Sequence, residues 1–434
     1  MTPNPKIIKS VEKLDYRVTV GDVAAQSGLE LNFAQQGLLA LASEAGGHLQ
    51  VADSGDVVYL FPKNFRSILR NKYWQLRWQQ TWSKIWKVLF YIIRISFGIV
   101  LIASVLLMLV AIIAIIVAMN SSSDERQGNR RSSYGGGGFY FLPRFWIGDI
   151  FWWFDPGYNR RRRQRRRQTS GNYQMNFLEA VFSFLFGDGN PNADLEEYRY
   201  SAIGAVIRKH QGAVTAEQIA PYVDKTDEDE DYMLPILTRF NGYPEVSPQG
   251  EIIYYFPELQ VMASQRQIQP ISPIGYLQEK LWRFSQADGS QITMATGLGV
   301  VNIVLAFVLG YLLQDGTIAA ELGGIVAFAA SIHWLLLGYG VLYLLVPLVR
   351  YFWIQGRNPK IISRNQAREQ KAIALSQPSQ SLRQKISYAS QFAKQKVISN
   401  DDITYSTEDD LLDQNIKNQA QIDREWQQKL DPNS

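Results

Sequence analysis

The chain has 434 residues, 46% of them hydrophobic and 19% charged, with a formal net charge of +4 and no cysteine. Lack of cysteine excludes disulfides, thiol catalysis, and zinc or iron–sulfur centres held by this chain's own thiolates. Seven positive charges lie in one run, Arg160, Arg161, Arg162, Arg163, Arg165, Arg166 and Arg167, so the rest is near neutral or acidic.

The first residues, MTPNPKIIKSVEKLD, have no apolar core ahead of a small-residue cleavage site, so no cleaved secretory leader is expected and membrane targeting rests on internal segments. Residues 1–63 read as a small α+β domain. Thr19 followed by Asp22 is a capping-box pattern for a helix start. NFAQQGLLALASEAG then predicts a longer helix closing at Gly46, and Val57, Tyr59 and Phe61 alternate with Val58 and Leu60 as a strand does.

Residues 64–119 are expected to form an interfacial helix and a first membrane span. Trp74, Trp78, Trp82 and Trp86 recur every four residues among Arg77, Lys84 and Lys87, a stripe suited to lipid headgroups, where an apolar ring and one N–H donor are both satisfied. Ile95 to Met119 then runs 25 residues without a charge. That is about 37 Å of helix, enough for a hydrocarbon core of about 30 Å.

Residues 120–175 form a Gly/Ser/Arg-rich linker that contains FYFLPRFWIGDIFWWF (139–154), where Arg144 and Asp149 favour an interfacial position over a re-entrant one. The arginine run suits anionic lipid headgroups. Because both flanks of the first span are basic, its orientation does not follow from charge.

Residues 176–260 hold an amphipathic segment and a second copy of the first domain. GEIIYYFP (250–257) repeats GDVVYLFP (55–62), and the match extends backward through Leu234 and Leu39, Ala220 and Ala24, and Val214-Thr215 and Val18-Thr19. Three helices and a β-hairpin in this order resemble a winged helix, over about residues 5–62 and 198–258, so DNA binding has to be weighed. Residues 194–258 carry five Lys or Arg against thirteen Asp or Glu, and residues 1–62 carry four against seven. Such surfaces repel a polyanion, so nucleic acid is disfavoured and protein contact preferred. The run Asp227, Glu228, Asp229, Glu230 and Asp231, placed where the third helix of the second copy is expected to begin, is the candidate partner-binding surface.

Residues 270–356 are expected to hold an interfacial helix, IGYLQEKLWRFSQ, and a membrane hairpin with spans near Ile292–Leu313 and Leu322–Val349. The connector QDGTIAAE has no Lys or Arg, while Lys280, Arg283, Arg350, Arg357 and Lys360 flank the hairpin, so the connector is expected outside and the flanks on the cytoplasmic side. Residues 357–434 read as a polar helical tail and docking element, with Ser406-Thr407-Glu408-Asp409 capping a final helix to about Leu430.

FLEAVFSFLFGDGNPN (177–192), the second domain copy and the Gly297-Leu298-Gly299 span resemble a family of cyanobacterial and chloroplast membrane proteins, some plant members of which are labelled "iron–sulfur cluster biosynthesis family protein". The resemblance covers most of residues 1–430 and implies a photosynthetic membrane. Without cysteine the chain offers neither cluster ligands nor a sulfur carrier.

No residue pattern carries catalysis, and neither an enzyme nor a cofactor is expected. Asp188 to Asp194 begins like a calcium loop, but Ala193 and Arg199 stand where Gly and Glu are needed, so an Asx-rich turn is the better reading. The glycines at 135–138 and at Gly297 and Gly299 do not lie between a strand and a helix. His48, His210 and His333 lack ligand spacing, though His333, Asn302 and Glu321 could mark a polar path in the membrane. The expected fold is an α-rich integral membrane protein with about three transmembrane helices and two winged-helix-like domains. The expected function is a membrane-anchored scaffold or assembly factor whose partners are the bilayer, anionic lipids and a protein complex. Alternatives are a membrane-tethered transcription regulator and a small transporter.

Overall fold

Gly55 and Gly250 have the same left-handed φ of 84°, and each closes a turn by donating its N–H three residues back, to Ala52 and to Ser247. Glycine reaches this conformation without a Cβ penalty. The computed structural model describes residues 4–72, 74–122, 175–227, 229–264, 275–314 and 316–408, with positions 410, 416, 419 and 426. The chain divides into two units, one of Met1–Trp86, Asn190–Trp282 and Gln355–Ser434 and one of Lys87–Gly189 and Arg283–Ile354.

In the first unit, module one runs α1 (Pro5–Lys13), β1 (Arg17–Thr19), α2 (Val20–Ser27), α3 (Leu31–Ala45), β2 (His48–Ala52) and β3 (Val57–Leu60). Asn4 caps α1 ahead of Pro5, Thr19 and Asp22 form the expected capping box on α2, and Gly28 and Gly46 end α2 and α3 in the left-handed conformation. β3 is central and antiparallel to both neighbours, with Tyr59 opposite Val18 on one side and Leu49 on the other. After module one, α4 (Phe65–Lys72) precedes the long helix α5 (Trp74–Ser122).

Module two has the same order of helices and strands. It runs α7 (Leu195–Lys209), β4 (Ala213–Val214), α8 (Ala216–Ile219), α9 (Leu234–Phe240), β5 (Tyr243–Val246) and β6 (Ile252–Tyr255), and its sheet order β4-β6-β5 matches β1-β3-β2. Backbone hydrogen bonds recur in step: Tyr16 to Val11 and Gly212 to Ile207, Gly47 to Ala42 and Gly242 to Leu237, Phe61 to Tyr16 and Phe256 to Gly212. The helices differ from expectation. Pro221 turns the end of α8 into a 3₁₀ turn, Ala220–Tyr222, and the third helix starts at Leu234, after a 3₁₀ turn at Asp231–Met233, not in the acidic run. Pro235 in the first turn suits a start there, and Glu230, held in the left-handed region, stops a helix from beginning earlier.

One apolar core serves both modules, joining Val11, Leu38, Leu41 and Phe65 to Ile203, Ile207, Phe240 and Phe256. α2 and α7 approach closely because Gly204 has no Cβ, which would lie 2.9 Å from the Ala25 Cα.

Two elements depart from their expected form. IGYLQEKLWRFSQ is not helical, because its backbone groups are satisfied by asparagine side chains. Asn365 Oδ1 accepts from Glu279 N at 2.9 Å, Asn358 Oδ1 from Trp282 N at 3.0 Å, and Asn192 Oδ1 from Lys280 N at 2.8 Å. The tail after α15 (Gln380–Phe392) forms two short strands ahead of the expected final helix, and the described positions 416, 419 and 426 within that helix are helical. After α10 (Pro257–Gln260), β7 (Val261–Met262) takes β8 (Lys396–Val397) in parallel, and β9 (Ile403–Ser406) adds to the β2 edge. Ser406 therefore ends a strand, and Thr407 Oγ1 accepts from Leu49 N at 2.9 Å instead of capping a helix.

The second unit packs α5, α6 (Phe177–Phe186), α11 (Gly289–Leu312), α12 (Thr317–Leu322), α13 (Gly324–Ser331) and α14 (His333–Ser376). Leu101 of α5 meets Ala295 of α11, Tyr343 of α14 and the α6 residues Val181 and Phe184 in one cluster. Met108 to Ile115 meet Ala306, Leu309, Ala329 and Leu336 in another. Numbers rise together along α5 and α11 and fall along α14, so α5 and α11 are parallel and α14 is antiparallel. The third span is broken between α13 and α14, at Ile332, and α14 continues far past its apolar part to Ser376. The aromatic segment 139–154 and all seven arginines of the run lie outside the described residues.

Candidate functional site

The described acids of the run divide in role: Asp227, Asp229 and Asp231 are exposed, and Glu230 is not. Asp227 Oδ1 accepts from Asp231 N at 3.0 Å, a local turn bond, and Asp229 is exposed, while Glu228 lies outside the described residues. Glu230 is different. Its backbone sits in the left-handed region at φ 57°, unusual for a residue with a side chain, and turns the carboxylate inward. One Glu230 oxygen accepts from Tyr254 OH at 2.7 Å and the other from Lys385 Nζ at 2.7 Å.

Lys385 comes from α15, 155 residues further along the chain, and its side chain is only 4% exposed. Glu217 also accepts from it at 2.9 Å, and Glu251 lies 3.9 Å away. Burial alone would lower the Lys385 pKa, but its hydrogen bonds and charge attraction to Glu230 and Glu217 raise it above the ordinary lysine value. Burial and Glu230 together push the Tyr254 hydroxyl far up, so it stays protonated and donates. Around this centre Tyr255 stacks on Phe392 at 5.7 Å, Tyr388 OH donates to Val246 O, and Gln260 Nε2 donates to Phe392 O. The sequence named Glu230 but not Glu217, Glu251 or Lys385, because nothing local marks residues that only tertiary packing unites.

The outward face of α3, the element that would read DNA in a winged helix, bears no charge. Its exposed residues are Asn32, Phe33, Gln35, Gln36, Leu39 and Ser43, and Phe33 and Leu39 are 47% and 54% exposed.

Of the tryptophan stripe, Trp82 and Trp86 are 58% and 53% exposed on α5. Trp74 and Trp78 fall on the same helix, and their side chains lie outside the described residues. In the second unit a polar layer closes one end. Asp188 accepts from Arg94 at 3.2 Å, from Ser183 Oγ at 2.7 Å and from Gln286 N at 2.9 Å, while Arg350 Nη1 donates to the last carbonyls of α6, Ser183 O and Phe184 O. Asp188 is thus a structural acceptor. Deeper in, Asn302 is fully buried and donates to Ser104 Oγ, and His333 Nε2 meets Ala306 O at 2.9 Å. These polar groups link neighbouring helices. His210 meets the Gln218 amide at 3.3 Å, and among the described residues no group of three His, Cys, Asp or Glu could hold a metal ion.

The molecule is thus a helix-rich protein with small sheets and three helices long and apolar enough to cross a membrane, in Lys84–Asn120, Gly289–Leu312 and His333–Ser376. It belongs to the same family as an uncharacterized chloroplast protein of Arabidopsis thaliana, with which it is 38% identical over 427 residues, covering 95% of this chain and 80% of that relative. No protein-family model matches the chain, and no solved structure matches it.

Proposed function

We propose that this protein is a membrane-anchored scaffold or assembly factor of a photosynthetic membrane, with two duplicated winged-helix modules that bind protein segments. The observation that carries the reading is that both modules already hold peptide from their own chain. β9 extends the β2 edge of module one, and Lys385 of α15 sits among the carboxylates of module two. Edge addition and helix seating are standard modes of protein recognition. The uncharged outer face of α3 supports protein contact over DNA. The Arabidopsis relative, a chloroplast protein by name, supports the compartment.

Lys87, Gly189, Arg283 and Ile354, the points where the chain leaves the second unit, all lie near its polar layer, the end where Arg94 meets Asp188. This supports a reading in which the three stretches beyond them face one side of the bilayer, the cytoplasmic side or its organellar equivalent. Ser122 lies at the opposite end, whereas Met175 accepts from Gln291 at the polar layer.

Affinity purification of the tagged protein in mild detergent tests the function. A defined membrane complex is the expected product, and repeated recovery of the protein alone overturns the reading.

A further inference from the structure

The seat of Lys385 is electrostatically incomplete. Three carboxylates, Glu217, Glu230 and Glu251, converge on a single cation, leaving an excess of two negative charges. The second oxygen of Glu217 is buried with no hydrogen-bond donor among the described residues. A buried acceptor left unmatched costs free energy that a better-matched ligand would recover. The helix that fills the seat is also lightly held. On α15 only Lys385 and Ala389 are buried, and no described α15 residue belongs to the apolar core shared by the modules. Charge attraction, the Tyr255–Phe392 stack and hydrogen bonds involving Tyr388 and Phe392 therefore hold this contact, and charge attraction weakens with salt.

We propose that this seat is the docking surface for a basic amphipathic helix of a partner protein, and that α15 occupies it in the free chain as a stand-in. The proposal rests on the scaffold reading and names the chemistry of its partner. The fitting helix presents two Lys or Arg one turn apart toward Glu217, Glu230 and Glu251, and an aromatic residue seven positions after the first, as Phe392 follows Lys385. Two cations match the carboxylates better than the one α15 supplies, so the partner displaces α15 and frees the segment that leads into β8 and β9.

The test uses the full chain in detergent micelles and a labelled synthetic helix with Lys at i and i+4 and Phe at i+7, against the same peptide with both lysines replaced by Gln. The Lys peptide should bind, more weakly at high salt, and should speed amide exchange across 380–392, whereas the Gln peptide should do neither. Lys385→Gln should tighten binding about tenfold by removing the competing occupant. Phe392→Ala should act in the same direction without touching the carboxylates, which covers the case where Lys385→Gln does not fold. Glu230→Gln should weaken binding. Saturating peptide that leaves exchange across 380–392 unchanged overturns the proposal, as does equal binding by wild type and both tail variants. Recovery of a native complex alongside either result would sink this site and leave the scaffold reading standing.

Discussion

Arg208 on α7 and Asp22 at the capped start of α2 form an ion pair with 2.5 Å between Nη1 and Oδ1, and both side chains are almost wholly buried. Asp22 also accepts from Thr19 N at 2.8 Å and from Ala263 N at 3.1 Å, so one carboxylate ties module one, module two and the strand after α10 together. Removing one partner of such a pair strands a charge away from water, at a cost of about 3–5 kcal/mol, while removing both costs less. Arg208→Met should therefore destabilise the first unit by that amount. Adding Asp22→Asn should recover part of the loss, read as a non-additive pair in urea unfolding.

Acid should loosen the strap at residues 275–288. Glu279 is nearly buried and accepts from Arg364 and Arg368, and Asp224 pairs with Arg368 and Arg199. Burial opposes their ionisation, but these arginines hold both carboxylates below their ordinary values of 4.5 and 3.8. A depressed folded pKa gives stability that is present above the ordinary value and lost as pH falls through the folded one. Proteolysis within the strap should rise below about pH 4, and Glu279→Gln should show the open pattern already at neutral pH.

The apolar helix packing of the second unit should be intolerant at Gly340. A Cβ there would lie 2.6 Å from Asn302 Oδ1 and 2.9 Å from Ile303 Cγ1. Gly340→Val should cost about 1–3 kcal/mol by overpacking. Asn302→Leu, which removes the bond to Ser104, should cost about 0.6–2 kcal/mol. Unfolding in SDS mixed micelles would measure both, and a larger loss for Asn302→Leu than for Gly340→Val would contradict this ranking.

Sidedness can be read without background, because the chain has no cysteine. Single cysteines at the exposed positions Ser54, Ser387 and Thr317 should fall into two classes with an impermeant maleimide on sealed vesicles. Ser54→Cys and Ser387→Cys should label alike and Thr317→Cys oppositely. Opposite labelling of the first two would refute the single-sided reading.

Gel shifts, with duplex DNA, of the full chain with Arg160–Arg163 and Arg165–Arg167 replaced by Gln, which removes the run's own attraction for phosphate, should show no retardation that weakens with salt, since α3 presents no cation to phosphates. Salt-sensitive binding would revive the transcription regulator.

Much of the architecture could be read from local patterns. Thr19 and Asp22, Thr215 and Gln218, and the glycines at 55 and 250 act through neighbours within a few residues, so their roles survive in any context. Long uncharged runs likewise declare helices long and apolar enough to cross a membrane, because lipid would leave the backbone no other partner. Readings based on apolar spacing alone fared worse. IGYLQEKLWRFSQ has a helical period, yet Asn192, Asn358 and Asn365 satisfy its backbone from a distance and hold it open.

By itself, then, the amino-acid order determined the capped helices, the paired hairpin turns and three apolar helices, all products of interactions within a turn or of solvent preference. Only the tertiary structure decided that α5 and α11 run parallel, that the tail forms strands on modules one and two, and that Lys385 meets Glu217, Glu230 and Glu251. Those outcomes depend on which distant groups can satisfy a buried charge or an open strand edge, and such partners leave no periodic trace along the chain.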